Sequence, residues 1–215
     1  LNERKINEPK RFLVFKIQNE KYVNSRDGYL LQALACLGSN ISPYFDYVLT
    51  AFYNVFSSRN SSQLLITAAN SFTKIISSIS TSFNLRIFCP EFIPALIKHL
   101  NPTQGKDVAL AIIELLGTAC DWLSYSPQSI CLVKNDFNEL SADLKNPSFF
   151  TDFVLSHLLP YLSTPSIYLY ETITKIFICS PESAGKFMDK VIPMFLRGIE
   201  STKGSAREKL FGELE

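Results

Sequence analysis

Five helical runs in this chain open on the same pair, a Ser, Thr or Asn directly before a proline: Ser42-Pro43, Ser126-Pro127, Asn146-Pro147, Thr164-Pro165 and Ser180-Pro181. The polar side chain accepts a hydrogen bond from a free N–H of the first turn. Proline at the first helical position has no N–H to leave unpaired and already holds a helical φ. Repeated helix starts of this kind point to an all-helical chain. With 17 Phe and only 8 Gly, the composition also argues against a β-sandwich turned on glycines.

Hydrophobic periodicity fills in the helices between these starts. Tyr29, Leu30, Ala33, Leu34 and Leu37 form a stripe that ends at Gly38, placed as a helix C′ residue. Ser42-Pro43 opens a helix through Phe56 with Phe45, Val48, Leu49, Phe52 and Phe56 inward. After a polar turn over 57–62, a helix over 64–79 buries Leu65, Ala68, Ala69, Phe72, Ile75, Ile76 and Ile79. Pro90 starts a helix to Leu100, which Asn101-Pro102 stops. Residues 108–123 are apolar almost all round, which predicts packing from more than one side. Further helices are expected over 128–144, 149–162, 167–178 and 182–199, the last burying Phe187, Val191, Met194, Phe195 and Ile199, with another from near Ser205.

A weak internal repeat aligns Phe92-Ile93-Pro94-Ala95-Leu96-Ile97 with Val191-Ile192-Pro193-Met194-Phe195-Leu196. Phe153 to Leu158 fits the same slot, and Tyr47 to Phe52 fits it loosely. Pro94, Pro160 and Pro193 each remove a helical hydrogen bond and are expected to bend their helices. Helix pairs with a proline inside the first helix resemble HEAT or armadillo-type repeats, from Asp27 to the end of the chain. The Asp and Arg ladder of regular HEAT copies is missing; only Lys106-Asp107-Val108 comes close. The resemblance implies an all-α superhelix of stacked antiparallel pairs, about nine or ten helices in all. It implies a non-enzymatic scaffold or adaptor that holds another protein, as a peptide or helix laid into a groove. The alternative is a nuclear transport receptor or chromosome-associated solenoid that contacts nucleic acid.

The chain divides at residue 26. In residues 1–26, Arg4, Lys5, Lys10, Arg11, Lys16, Lys21 and Arg26 outnumber Glu3, Glu8 and Glu20, around a β-type run from Phe12 to Ile17. This segment reads as a basic arm, as a strand of a neighbouring domain or as a weakly helical end. It suits a solvated terminus better than a nucleic-acid contact. Residues 27–215 form the repeat domain, read as part of a longer protein because its last residues still look helical.

Hydrophobic content of 47% and charged content of 19% exclude general disorder, and a net charge of +1 excludes a strongly charged surface overall. Five cysteines, none in a C-x-x-C pair, read as buried free thiols in a reducing compartment, cytoplasmic or nuclear. The triplets Asn40-Ile41-Ser42 and Asn60-Ser61-Ser62 match a glycosylation sequon, with no signal peptide to make them meaningful. No apolar run is long enough to span a membrane; the longest, from Val108 to Leu123, is interrupted by Glu114 and Asp121.

Chemistry-bearing motifs do not assemble. His99 and His157 are the chain's 2 histidines, on separate helices without a Cys at ligand spacing, so no metal is expected and both read as capping or solvated side chains. Gly105-Lys106-Asp107 lacks the Ser or Thr and the upstream Gly of a phosphate loop. No nucleophile elbow is present, and Asp136 with Glu139 reads as a solvated face, so neither a cofactor nor an enzymatic activity is expected. Two surface candidates remain. Tyr125, Tyr161, Tyr168 and Tyr170 lie near turns, where a tyrosine serves either as a contact anchor or as the rim of a core. Lys186, Lys190 and Arg197 share one side of a helix, with Lys203, Arg207 and Lys209 beyond. They read as a basic ridge for phosphates or an acidic partner, or as an ordinary charged face interrupted by Glu182, Asp189, Glu200 and Glu208.

Overall fold

A helix with one apolar stripe gains most of its stability from whatever covers that stripe. The stripes along this chain therefore dictate which helices meet. A computed structural model describes residues 25–79, 91–100, 105–120, 149–163, 166–201 and 204. Among the described residues there are eight α-helices and no strand. They are α1 (Ser25–Ala35), α2 (Phe45–Ser57), α3 (Ser62–Ser78), α4 (Phe92–Ile97), α5 (Lys106–Thr118), α6 (Phe149–Leu158), α7 (Ile167–Cys179) and α8 (Pro181–Ser201). Short 3-10 segments, Gly38–Tyr44 and Leu159–Ser163, follow α1 and α6. The helices expected over 128–144 and from near 205, and residues 1–24 of the basic arm, lie outside the described residues. Contacts divide the chain into two compact units, Leu1–Ser82 with Phe88–Leu115 and Phe83–Ile87 with Leu116–Glu215.

In the first unit the core is aromatic. Phe72 of α3 lies 4.7 Å from Phe52 of α2 and 5.1 Å from Phe92 of α4 between ring centroids. Phe56 meets Phe92 edge-on at 5.8 Å, and Phe45 stacks on Phe72 at 6.1 Å. Burying each such ring is worth about 1.5–3 kcal/mol. The predicted inward residues of α2 and α3 are all buried. On the polar face of α3 the hydroxyls of Thr67 and Thr73 donate to Gln63 O and Ala69 O. Bonding back one turn lets Thr stay in a helix interior without competing for another backbone.

Two expectations fail here. The face of α1 is rotated: Asp27, Leu31 and Leu34 are buried, while Tyr29 is 72% exposed and Ala33 is exposed. Adjacent Leu30 and Leu31 allow two stripes one step apart, and packing of α1 on α3 selects the second. Ser42-Pro43 does not open the α-helix either. Pro43 lies inside the 3-10 segment, and α2 begins at Phe45 without a side-chain cap. Helix α3 is capped as the physics asks, by Ser61, whose Oγ accepts from Leu64 N at 3.3 Å.

The C-terminal carbonyls of α2 are matched by donors from other segments. Asn60 Nδ2 donates to Val55 O at 2.5 Å, His99 Nε2 to Phe56 O at 2.7 Å and Lys98 Nζ to Ser57 O at 2.5 Å. His99 and Lys98 follow directly on α4, so the end of one helix is sealed by the end of another. His99 is 3% exposed. Burial lowers the pKa of Lys98 below the ordinary lysine value. Pro94 sits in the first turn of α4, where an N–H has no helical partner, so it neither breaks nor bends that helix.

In the second unit α8 runs back along α7, since Tyr170 near the start of α7 meets Phe195 far along α8 at 4.8 Å. Pro181 is the first residue of α8, as its sequence pair predicts. Helix α7 instead takes Ser166 as its N-cap, with Oγ accepting from Leu169 N at 3.3 Å. Two glycines make room for α7. A Cβ on Gly198 of α8 would lie 2.1 Å from the Tyr170 hydroxyl, and one on Gly117 would lie 2.4 Å from Thr172 Oγ1 and 3.1 Å from its Cα. Pro160 ends up in the 3-10 segment after α6. Of the three prolines expected to bend a helix, Pro193 alone is interior to a long one. It faces solvent. Helix α5 is buried around about two thirds of its circumference, as the near-continuous apolar run predicts.

Two measurements check these joints. His99→Ala removes a buried donor and leaves Phe56 O unmatched; urea unfolding is expected to show a loss of about 2–4 kcal/mol, against under about 1 kcal/mol for Lys98→Ala. Gly198→Ala is expected to cost about 1–3 kcal/mol by overpacking, despite a helix-propensity gain of about 1 kcal/mol. In a Tyr170→Ala background the same Gly198→Ala change should become neutral or stabilising; an unchanged cost there would remove Tyr170 from the account.

Candidate interaction surface

Helix periodicity decides which predicted site residues reach solvent. Tyr125, Lys203 and Arg207 lie outside the described residues. Tyr168 is 43% exposed and available as a contact. Tyr170, two residues on, points to the opposite side and is 2% exposed. Its hydroxyl donates to Met194 O at 3.5 Å, so it belongs to the α7–α8 core and cannot anchor a partner. Tyr161 is half-buried, and its hydroxyl finds no hydrogen-bond partner among the described residues. Burial raises the pKa of both phenols; at Tyr170 the nearby Arg197 charge pulls the other way with the smaller effect.

The basic residues of α8 do share an edge. At about 100° per residue, Lys186, Lys190 and Arg197 fall within about 40° of one another, and all three are exposed. They do not form an open cationic strip. Lys186 Nζ is paired with Asp152 Oδ2 of α6 at 2.5 Å, and Arg197 Nε donates to Pro193 O at 3.2 Å. Asp189 and Glu200 are exposed alongside them.

Sequence reasoning missed the feature next to that edge. Met188, Ile192 and Leu196 are 38%, 41% and 52% exposed, spaced by four residues in one row along α8. The buried face of the same helix carries Val191, Met194, Phe195 and Ile199. Helix α8 thus has more apolar positions than its own core uses, a signal legible in the sequence but masked by the stripe it overlaps. The other large exposed apolar residues, Tyr29, Tyr47, Tyr168 and Ile178, do not form a row with one another along a single helix face.

The remaining candidates are structural or isolated. His99 caps α2, and His157 Nδ1 donates to Phe153 O in its own helix at 2.8 Å. Among the described residues no group of three His, Cys, Asp or Glu side chains could hold a metal ion. Cys120 is buried, but Cys36 is exposed, against the expectation of a buried thiol, because it follows the last turn of α1. An open groove of about 290 Å³ lies at the first turns of α1 and α3, lined in part by Tyr29, Gln32, Gln63 and Thr67. Among the described residues no helix is long and apolar enough to cross a membrane. Compared with known protein families, curated proteins and solved structures, the chain matches none.

The raised phenol of Tyr170 has a definite sign in stability. Its folded pKa lies above the unfolded value of 10.0, so the contribution is fully present below that pH. As pH climbs past it, the unfolded phenol ionises first and stability is lost until the folded phenol also ionises. Chemical unfolding measured between about pH 8 and pH 11 should show that decline. It should be shallower in Tyr170→Phe, and in Tyr161→Phe for the same reason. Equal slopes in all three proteins would contradict the buried placement.

Proposed function

We propose that the chain is a non-enzymatic helical-repeat scaffold of the HEAT or armadillo kind, which holds another protein on the outer face of α8. The observation that carries this reading is the row Met188, Ile192 and Leu196. Three large apolar side chains, four residues apart and each more than a third exposed, match the i, i+4, i+8 anchors with which one helix receives another. The return of α8 along α7 supports the repeat reading, because each such pair leaves apolar surface for a neighbour.

The nucleic-acid alternative draws on Lys186, Lys190 and Arg197. Its weakness is electrostatic: Lys186 already neutralises Asp152, and Asp189 and Glu200 stand where phosphates would have to lie.

Site-specific photo-crosslinking tests the reading in the full chain. A benzoylphenylalanine in place of Leu196 should give a discrete protein adduct in cells, whatever the adduct's identity. The same group at Lys74, an exposed polar site on α3, should give none above background. Adding Ile192→Glu should abolish the adduct while Lys190→Glu leaves it. No adduct at position 196, or one lost only with Lys190→Glu or at high salt, would reject the apolar row as the binding surface.

A further inference from the structure

We infer that the groove at the first turns of α1 and α3 is a binding site for an uncharged planar nitrogen heterocycle, of the kind a nucleobase presents. The site lies within the first unit and is independent of the α8 row. Its volume of about 290 Å³ sits at the lower edge of the range for small-molecule pockets, about 300–1,000 Å³. It therefore suits one ring system rather than a helix or a length of peptide.

The floor is apolar for local reasons. Leu64 of α3 is buried beneath it. The Thr67 hydroxyl is turned back to Gln63 O at 2.9 Å, so its methyl is the part left to line the groove. A Cβ on Gly28 would lie 3.7 Å from that methyl and 3.9 Å from Leu64 Cδ1. These are ordinary contact distances, so the packing of α1 on α3 does not demand a glycine. The backbone does not demand one either, since Gly28 is not among the glycines with positive φ. Alanine would give the helix more stability without a clash. What the missing side chain does provide is depth. Gly28 is part of the lining, and a large residue there would fill the groove.

The rim is polar but uncharged. Gln32 of α1 and Gln63 of α3 stand on its two walls, both exposed. A carboxamide offers a donor beside an acceptor, the complement of the paired groups on a nucleobase edge; Gln meets adenine in this bidentate way. Tyr29 adds a ring that is 72% exposed, and stacking on such a face needs only a flat π-system. Among the described residues that line the groove, none carries a charge. A phosphate or carboxylate would gain no ion pair there, and a cation would find no carboxylate. Flatness for Tyr29, a donor–acceptor edge for the glutamines and an apolar face for Leu64 and Thr67 meet in one ligand class.

Ligand-observed NMR titration of the full chain with adenosine tests this. We expect a Kd of about 0.1–1 mM. Adenosine monophosphate should bind no more tightly, because its phosphate meets no cation. Methyl glucoside, an uncharged ring that is not flat, should show no binding up to about 10 mM. Gly28→Leu should abolish adenosine binding while circular dichroism and the urea midpoint stay at or above wild type. Tyr29→Ala, at a site too exposed to matter for folding, should raise the Kd about fivefold or more. Ile192→Glu, which disables the α8 row, should leave adenosine binding unchanged. No adenosine binding up to about 10 mM overturns the inference, as does binding that survives Gly28→Leu or Tyr29→Ala at full strength. Loss of binding in Ile192→Glu would move the ligand to α8 and overturn the site. Adenosine monophosphate binding about tenfold tighter, or methyl glucoside matching adenosine, would overturn the ligand class.

Discussion

The first unit depends on closing the end of α2. The last carbonyls of a helix have no partner within it, and once covered by another helix they lose water as well. Leaving such a group buried and unmatched costs more than a single hydrogen bond gains. His99, from the end of α4, removes that cost at the buried Phe56 O, while Asn60 from the turn that follows α2 and Lys98 bond the half-buried Val55 O and the exposed Ser57 O beside it. The aromatic cluster of Phe52, Phe56, Phe72 and Phe92 can therefore close over α2 without trapping bare carbonyls. Polar closure and apolar packing are one event, because His99 also stands 6.4 Å from the ring of Phe56.

A different constraint governs the second unit. Helix α7 carries Tyr170 and Thr172 inward, and neither fits against an ordinary helix surface. Gly198 and Gly117 give up side chains where those two groups arrive. The consequence for α8 is rotational. With Gly198 held against Tyr170, Val191, Met194 and Phe195 must face the core, and Met188, Ile192 and Leu196 must then face out. The exposed row is thus the geometric remainder of how α8 is docked.

Period-3.6 patterning made the helical class and the buried faces of α2 and α3 legible, because each stripe there has one reading. It failed where two readings overlap. Leu30 and Leu31 permit either of two faces on α1, and only the shape of α3 chooses. The polar–proline pair is a true helix signal at Ser180-Pro181, yet at Ser42-Pro43 proline is equally at home in a 3-10 turn, and the α-helix waits for Phe45. Tyr170 looked like a turn-edge tyrosine because sequence distance from a turn says nothing of rotation about the helix axis. Gly117 and Gly198 were the signals for that rotation. A glycine inside a strongly apolar helix, with no turn around it, marks a close approach. The outward row of α8 was hidden for a related reason: Ile192 and Leu196 are neighbours of Val191 and Phe195 in sequence, and a stripe-by-stripe reading absorbs them into the core.

Apolar row and charged edge on α8 are parts of one surface. A surface built to follow a polyanion keeps carboxylates away from its cations, since each carboxylate cancels a counterion-releasing contact. Here Asp189 stands between Lys186 and Arg197 along the helix, and Glu200 follows one turn beyond Arg197. Charges of mixed sign that border an apolar strip do something else. They add little affinity as exposed pairs, but they penalise every register in which like signs meet. An apolar row repeating every four residues would by itself slide by one turn at little cost in contact area. Flanking charges of mixed sign are what such a row needs if it is to accept a partner in one alignment rather than several, and on α8 both features lie on the same helix.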